Sequence, residues 1–117
     1  MMKGRVIRGE GISKAKGYAT ANLEAGAETN GLRSGVYAAR ALLNSAYYDA
    51  ALVIHESVKK AEVYFIGYDG PDFYGATIEV NPIQKVSEVI GFDSLEELRE
   101  KIAEDVELVK AVLQQRS

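Results

Sequence analysis

The sequence has no cysteine and a single histidine, His55. Without a thiol there is no disulfide, no thiolate nucleophile and no cysteine-based zinc site. One imidazole cannot build a histidine-rich metal site or a histidine pair. Long apolar runs are missing too: stretches such as "ALVI" at 51–54 are far too short to span a bilayer. The N-terminal "MMKGRVIRGEG" lacks the apolar core of about seven residues that a secretory signal needs. Neither sign of charge dominates. Fourteen basic and 17 acidic residues leave a formal charge of −3, which is not the basic field of a dedicated nucleic-acid binder. The expectation is a cytoplasmic monomer that engages neither nucleic acid nor membrane.

What is present is ordinary globular material. The 117 residues are 47% hydrophobic and 26% charged, enough to bury one core without covalent staples. No repeat, low-complexity tract or linker divides the chain, so residues 1–117 read as a single domain. Its character changes once. Up to about residue 91 there are short β-like runs: "GRVIRG" (4–9), "GVYAARALL" (35–43), "YYDAALVIH" (47–55), "AEVYFIGY" (61–68) and "GATIEVNPIQKV" (75–86). Asn44-Ser45-Ala46 between the second and third is expected to be a hairpin turn. Pro82 inside the last run cannot donate to a ladder, so it marks an edge, a bulge or a strand end. From about 94 to 114 the pattern is helical. Leu95, Leu98, Ile102, Val106, Val109 and Leu113 form one apolar stripe at steps of three and four. Ser94 with Glu97 is the expected capping box, and Asp93 with Glu96 the competing register. The class is mainly β: a barrel or sandwich with a C-terminal helix packed on it.

Five places are candidates for chemistry. "RGEGISKAKG" (8–17) sets Gly9, Gly11 and Gly17 around Lys14, a composition that lets backbone amides approach phosphate. It matches neither of the common phosphate-loop spacings, and by itself it reads as a surface loop. In "KAKGYATANLE" (14–24) small polar residues after a glycine read first as a turn, with Thr20 and Asn22 as capping groups. Were the segment extended, both side chains would share one side and offer oxygens suited to a hard cation such as Mg²⁺. Glu62 opens an apolar run and could serve as a general base, although taken singly it reads as an exposed strand residue. His55, at the end of an apolar run, reads as a strand-end histidine rather than a catalytic one. "GPDFYG" (70–75) is a turn in which Phe73 or Tyr74 would plug a barrel end.

Together these pieces fall in an order that resembles the riboflavin kinase (flavokinase) family. Gly4 to Gly11 match its opening Gly-x-Val-x-x-Gly-x-Gly strand. "GYATANL" (17–23) matches a glycine followed by Pro-Thr-Ala-Asn, with Ala19 in the proline's place. "SGVYAARA" (34–41) matches the Gly-Val-Tyr strand. "AEVYFIGYDGPDFYG" (61–75) matches the glutamate followed ten residues later by Asp-Phe/Leu-Tyr-Gly. "GFDSLEELREKIAEDVELVK" (91–110) matches the closing helix, including its Ile102 and Asp105. Two further differences stand out. "VIHESVKKAEV" (53–63) replaces and shortens an Ile-Gly-x-x-Pro-Thr stretch, and Val86-Ser87 stands where the family has a flavin-side Leu-Arg pair.

The resemblance implies a six-stranded Greek-key barrel with a C-terminal helix. It also implies Mg²⁺-dependent transfer of the ATP γ-phosphoryl group to the riboflavin 5′-hydroxyl, giving FMN and ADP. Matched position by position, Glu62 falls on the catalytic base. Thr20 and Asn22 fall on the metal and nucleotide residues, and Gly9 and Lys14 on the phosphate loop. Flavin contacts are not assigned. The competing expectation is a non-catalytic or weakly active flavin- or nucleotide-binding module on the same barrel.

Overall fold

The computed structural model describes residues 2–7, 19–23, 32–56, 60–68, 75–91 and 93–116. Among these are six strands, β1 (Met2–Ile7), β2 (Ala19–Leu23), β3 (Gly35–Leu43), β4 (Ala46–His55), β5 (Lys60–Phe65) and β6 (Thr77–Ser87), and one helix, α1 (Leu95–Arg116). The strands are antiparallel and close into a barrel in the order β1-β2-β5-β4-β3-β6. β3, β4 and β5 form a meander and β2 returns to lie beside β5, which is a Greek key. The expected fold class is therefore the observed one.

Period-two alternation sends one set of side chains into the barrel and the other outward. Val6, Ala21, Leu23, Tyr37, Ala39, Leu43, Leu52, Ile54, Val63, Phe65, Ile78 and Val80 belong to the inner cluster. Val36, Ala38, Ala51 and Tyr64 point outward and pack against Leu98, Ile102, Val106, Val109 and Leu113 of α1. β3 and β4 thus have an inner face in the barrel and an outer face under the helix. This explains why their runs are apolar almost throughout instead of alternating. Leu95 departs from the expected stripe: it is 42% exposed at the first helical residue, and contact with the barrel begins one turn later at Leu98.

The helix start follows the first of the two expected registers. Ser94 Oγ accepts the Glu97 amide at 3.1 Å, and Glu97 Oε2 accepts the Asp93 amide at 2.8 Å. The carboxylate caps one residue further out than in a standard capping box. Pro82 sits at a bulge. Ala38 and Ala39 pair with Gln84 and Pro82, and Val36 and Tyr37 with Ser87 and Lys85, so Ile83 and Val86 are the extra residues. Both pack against the helix cluster, so the bulges supply apolar contacts beneath α1.

One expectation is corrected. The segment holding Thr20 and Asn22 is not a turn but the strand β2, hydrogen-bonded between β1 and β5. Its residue types are poor strand formers taken alone; pairing on both sides supplies what intrinsic propensity does not.

The β3–β4 turn is tighter than expected. Leu43 pairs with Ala46, and Asn44 and Ser45 have φ of 50° and 68°, a two-residue turn of the type that favours Asn-Gly. A side chain at a left-handed second position is strained, so Ser45→Gly is expected to stabilise the protein by about 0.5–1 kcal/mol, seen as a higher Tm in thermal unfolding.

Candidate active site

The register between β2 and β5 assembles the site. Thr20 pairs with Tyr64 and Asn22 with Glu62, and paired residues present their side chains on one face. Their neighbours Ala21, Leu23, Val63 and Phe65 belong to the inner cluster, so Thr20, Asn22, Glu62 and Tyr64 lie on the outer surface of the barrel. They are not exposed there. Glu62 is 6% exposed, and Thr20 and Asn22 7% each. The reading of Glu62 as an exposed strand residue is thus overturned: the outer face is covered beside β5, and a carboxylate sits beneath the cover.

A cavity of ≈ 290 Å³ opens between the barrel and α1. Val36, Ala51 and Val53 of β3 and β4 form its apolar floor. Leu98 and Ile102 of the helix, with Val89 and Ile90 of the segment before it, form apolar walls. Its polar lining includes Lys60 and two bonded clusters. In one, Glu62 meets His55: Nε2 lies 3.2 Å from Glu62 Oε1. Val53 is the direct β4 partner of Glu62 and Lys60 that of His55, so the two make a diagonal contact across the hairpin. In the other, Lys101 Nζ donates to Asp105 Oδ2 at 2.6 Å and to Ser87 Oγ at 3.0 Å, while Ser87 Oγ donates to Asp105 Oδ1 at 2.7 Å. Burying Asp105 under the helix would be costly alone. The ammonium one turn away and the strand hydroxyl satisfy it.

Tyr64 lines the same cavity. Burial holds its phenol far above the ordinary range, and the charges of Glu62 and Asp105 push the same way. It remains a neutral hydroxyl on an otherwise apolar wall.

Thr20 and Asn22 offer neutral oxygens beside the Glu62 carboxylate, a donor set suited to Mg²⁺, which takes few protein ligands and completes its shell with water and phosphate. Among the described residues there is no group of three or more His, Asp or Glu that could hold a metal.

The structure brings Thr20, Asn22 and Glu62 together on the paired strands β2 and β5. Gly9 and Lys14 lie outside the described residues, as do Phe73 and Tyr74 of "DFYG". Two further groups line the cavity, His55 and Lys101. His55 reads from the sequence as a strand-end residue; the signal for its place is alternation across the β4–β5 hairpin, which puts His55 and Glu62 on one face. Lys101 is not among the candidates read from the sequence; its i,i+4 relation to Asp105, at the edge of the apolar stripe, is the signal that marks a paired charge facing the barrel.

The riboflavin kinase (flavokinase) family model matches residues 1–113. The chain belongs to the riboflavin kinase family. It is 30% identical over 115 residues to the RNA-binding riboflavin kinase RibR of Bacillus subtilis, covering 93% of this chain and 49% of that protein. It is also 30% identical over 115 residues to the bifunctional riboflavin kinase/FMN adenylyltransferase of Haemophilus influenzae, covering 92% and 37%. The chain thus spans half or less of these relatives. Among solved structures, riboflavin kinase from Trypanosoma brucei superimposes with a TM-score of 0.69 at 24% identity, covering 97% of this chain and 78% of that one. A macrolide-efflux protein from Streptococcus pneumoniae gives 0.80 at 24% identity, covering 93% and 38%. At that identity both report the shared barrel and helix.

For this family member the Tyr64 environment has a pH consequence. Below about pH 10 the phenol is protonated in folded and unfolded chains alike; above it only the unfolded chain ionises, so stability falls as pH rises. Tyr64→Phe is expected to move the midpoint of alkaline unfolding to higher pH, as followed by circular dichroism.

Proposed function

We propose that the chain is an ATP:riboflavin 5′-phosphotransferase that releases FMN and ADP. The observation that carries this reading is the placing of one buried carboxylate, Glu62, between two kinds of surface. Toward β2 it faces Asn22 and Thr20, oxygen donors suited to a metal–phosphate group. Toward α1 it faces an apolar cavity with polar groups in its lining. A molecule with a flat apolar ring system and a polyhydroxylated tail fits that division, ring in the cavity and tail toward Glu62.

The chemistry then needs little from the protein beyond positioning and charge. Glu62 orients the terminal ribityl hydroxyl and accepts its proton as the oxygen–Pγ bond forms. The bond from Pγ to the ADP oxygen breaks, and ADP leaves with the electron pair. Thr20 and Asn22 hold the phosphate side, and family resemblance adds Gly9 and Lys14 as backbone and ammonium donors to phosphate. Mg²⁺, when bound, neutralises the phosphate oxygens. The buried position of Glu62 excludes water, which would compete with the hydroxyl.

A second reading, a flavin- or nucleotide-binding module with little turnover, draws on Ala19, Ser87 and the shortened 53–63 stretch. A proline before Thr20 would restrict φ there, and Ala19 does not. At the helix side Ser87 with Lys101 occupies Asp105, where an arginine would bring a planar, multidentate donor. RNA binding, named for the Bacillus relative, is not proposed: this chain matches about half of that protein and carries a charge of −3. Among the described residues no helix is long and apolar enough to cross a membrane.

Incubation with riboflavin, Mg²⁺ and each of ATP, CTP and GTP, with FMN followed by chromatography, tests the proposal. FMN is expected with ATP, and Glu62→Gln is expected to lower kcat by about 10²–10⁴-fold while nucleotide binding persists. Tight flavin binding with no product from any nucleotide would establish the module instead.

A further inference from the structure

Glu62 is 8% exposed at its side chain and His55 29%, and His55 Nε2 lies 3.2 Å from Glu62 Oε1. An ionised carboxylate only accepts hydrogen bonds, so the contact requires the proton on Nε2 of His55. The backbone that carries His55 is itself held in place. The backbone amide of Glu56 donates to Ser34 Oγ at 2.8 Å, and the Ser34 amide donates to Glu56 Oε2 at 3.4 Å. This reciprocal pair ties the end of β4 to the start of β3 directly after His55. On the other side, the β4–β5 ladder reaches as far as the His55–Lys60 pair.

We infer that His55 is a positioning residue for Glu62, an inference that rests on the kinase reading above. A carboxylate on a strand can rotate about its terminal bond, a broad, weakly restrained torsion. A donor on Oε1 fixes the carboxylate plane, and with it the direction from which Oε2 receives the proton of the substrate hydroxyl. Proton acceptance needs the hydroxyl within about 2.6–3.2 Å along that direction, so a loosely held carboxylate would lose rate before it lost binding. His55 touches neither reacting atom in this scheme; it acts through Glu62.

His55→Ala is expected to lower kcat by about 10- to 100-fold, the range typical when a partner that orients a functional group is removed, with KM for ATP and riboflavin unchanged. His55→Gln, whose amide nitrogen has a similar reach and can donate, is expected to restore most of the loss. Because His55 is the only histidine, its ring gives one imidazole set by NMR. A slowly exchanging Nε2–H signal is expected in the parent protein and its loss in Glu62→Ala. An unchanged kcat in His55→Ala, equal losses in the Ala and Gln variants, or an Nε2–H signal indifferent to Glu62→Ala would each overturn the role. Should the parent protein make no FMN, the kinase reading fails, and the imidazole signal alone then decides whether the His55–Glu62 bond exists.

Discussion

The barrel closes through β2, five residues paired with β5 on one side and with the end of β1 on the other. Its register decides what the outer face can do. Because side chains alternate, a slip of one residue would send Thr20 and Asn22 into the barrel and Ala21 and Leu23 out of it. Such a slip would bury polar groups in an apolar core, at a cost of about 1–3 kcal/mol for each unsatisfied group. The hydrophobic requirement of the interior therefore sets the geometry of the exterior. Asn22 stands opposite Glu62 because Ala21 and Leu23 must join Val63 and Phe65 in the interior.

The helix completes what the register begins. Small residues on β3 and β4, Ala38 and Ala51, let α1 lie close, and bulges in β6 add Ile83 and Val86 beneath it. The helix is not sealed against the barrel along its whole length. Toward its N-terminal half it leaves the cavity with polar groups in its lining. Asp105 shows how such an interface tolerates charge, since Lys101 comes from the same helix and Ser87 from the strand beneath. The result joins helix and barrel through a directional contact as well as an apolar one, and that contact forms one wall of the space beside Glu62.

Much of the architecture could be read from residues 32–116. Apolar runs bounded by turn residues located β3 to β6 to within a few residues. The three-and-four spacing of Leu98, Ile102, Val106, Val109 and Leu113 described the helix and its buried face. β2 was the failure, and its cause is physical. "ATANL" has no run of β-branched or aromatic residues, so its strand state comes from partners far along the chain. Glu62 failed for a related reason: alternation could place it on the outer face, but only the neighbouring elements show that the outer face is covered there.

Sequence by itself determined the residue types available for chemistry, the ban on thiol and multi-histidine sites, the barrel-plus-helix class, and, through motif order, the family. The residue types and the class of a barrel or sandwich with a C-terminal helix follow from composition and local periodicity, which need no knowledge of distant contacts; the family and the closed barrel came from the resemblance of the ordered motifs. Tertiary structure alone decided that Thr20 and Asn22 lie on a strand, that Glu62 is buried opposite Asn22, and that His55 and Lys101 join the site. Each depends on non-local pairing between strands, or between helix and sheet. Local spacing cannot encode which partner arrives, or at what register.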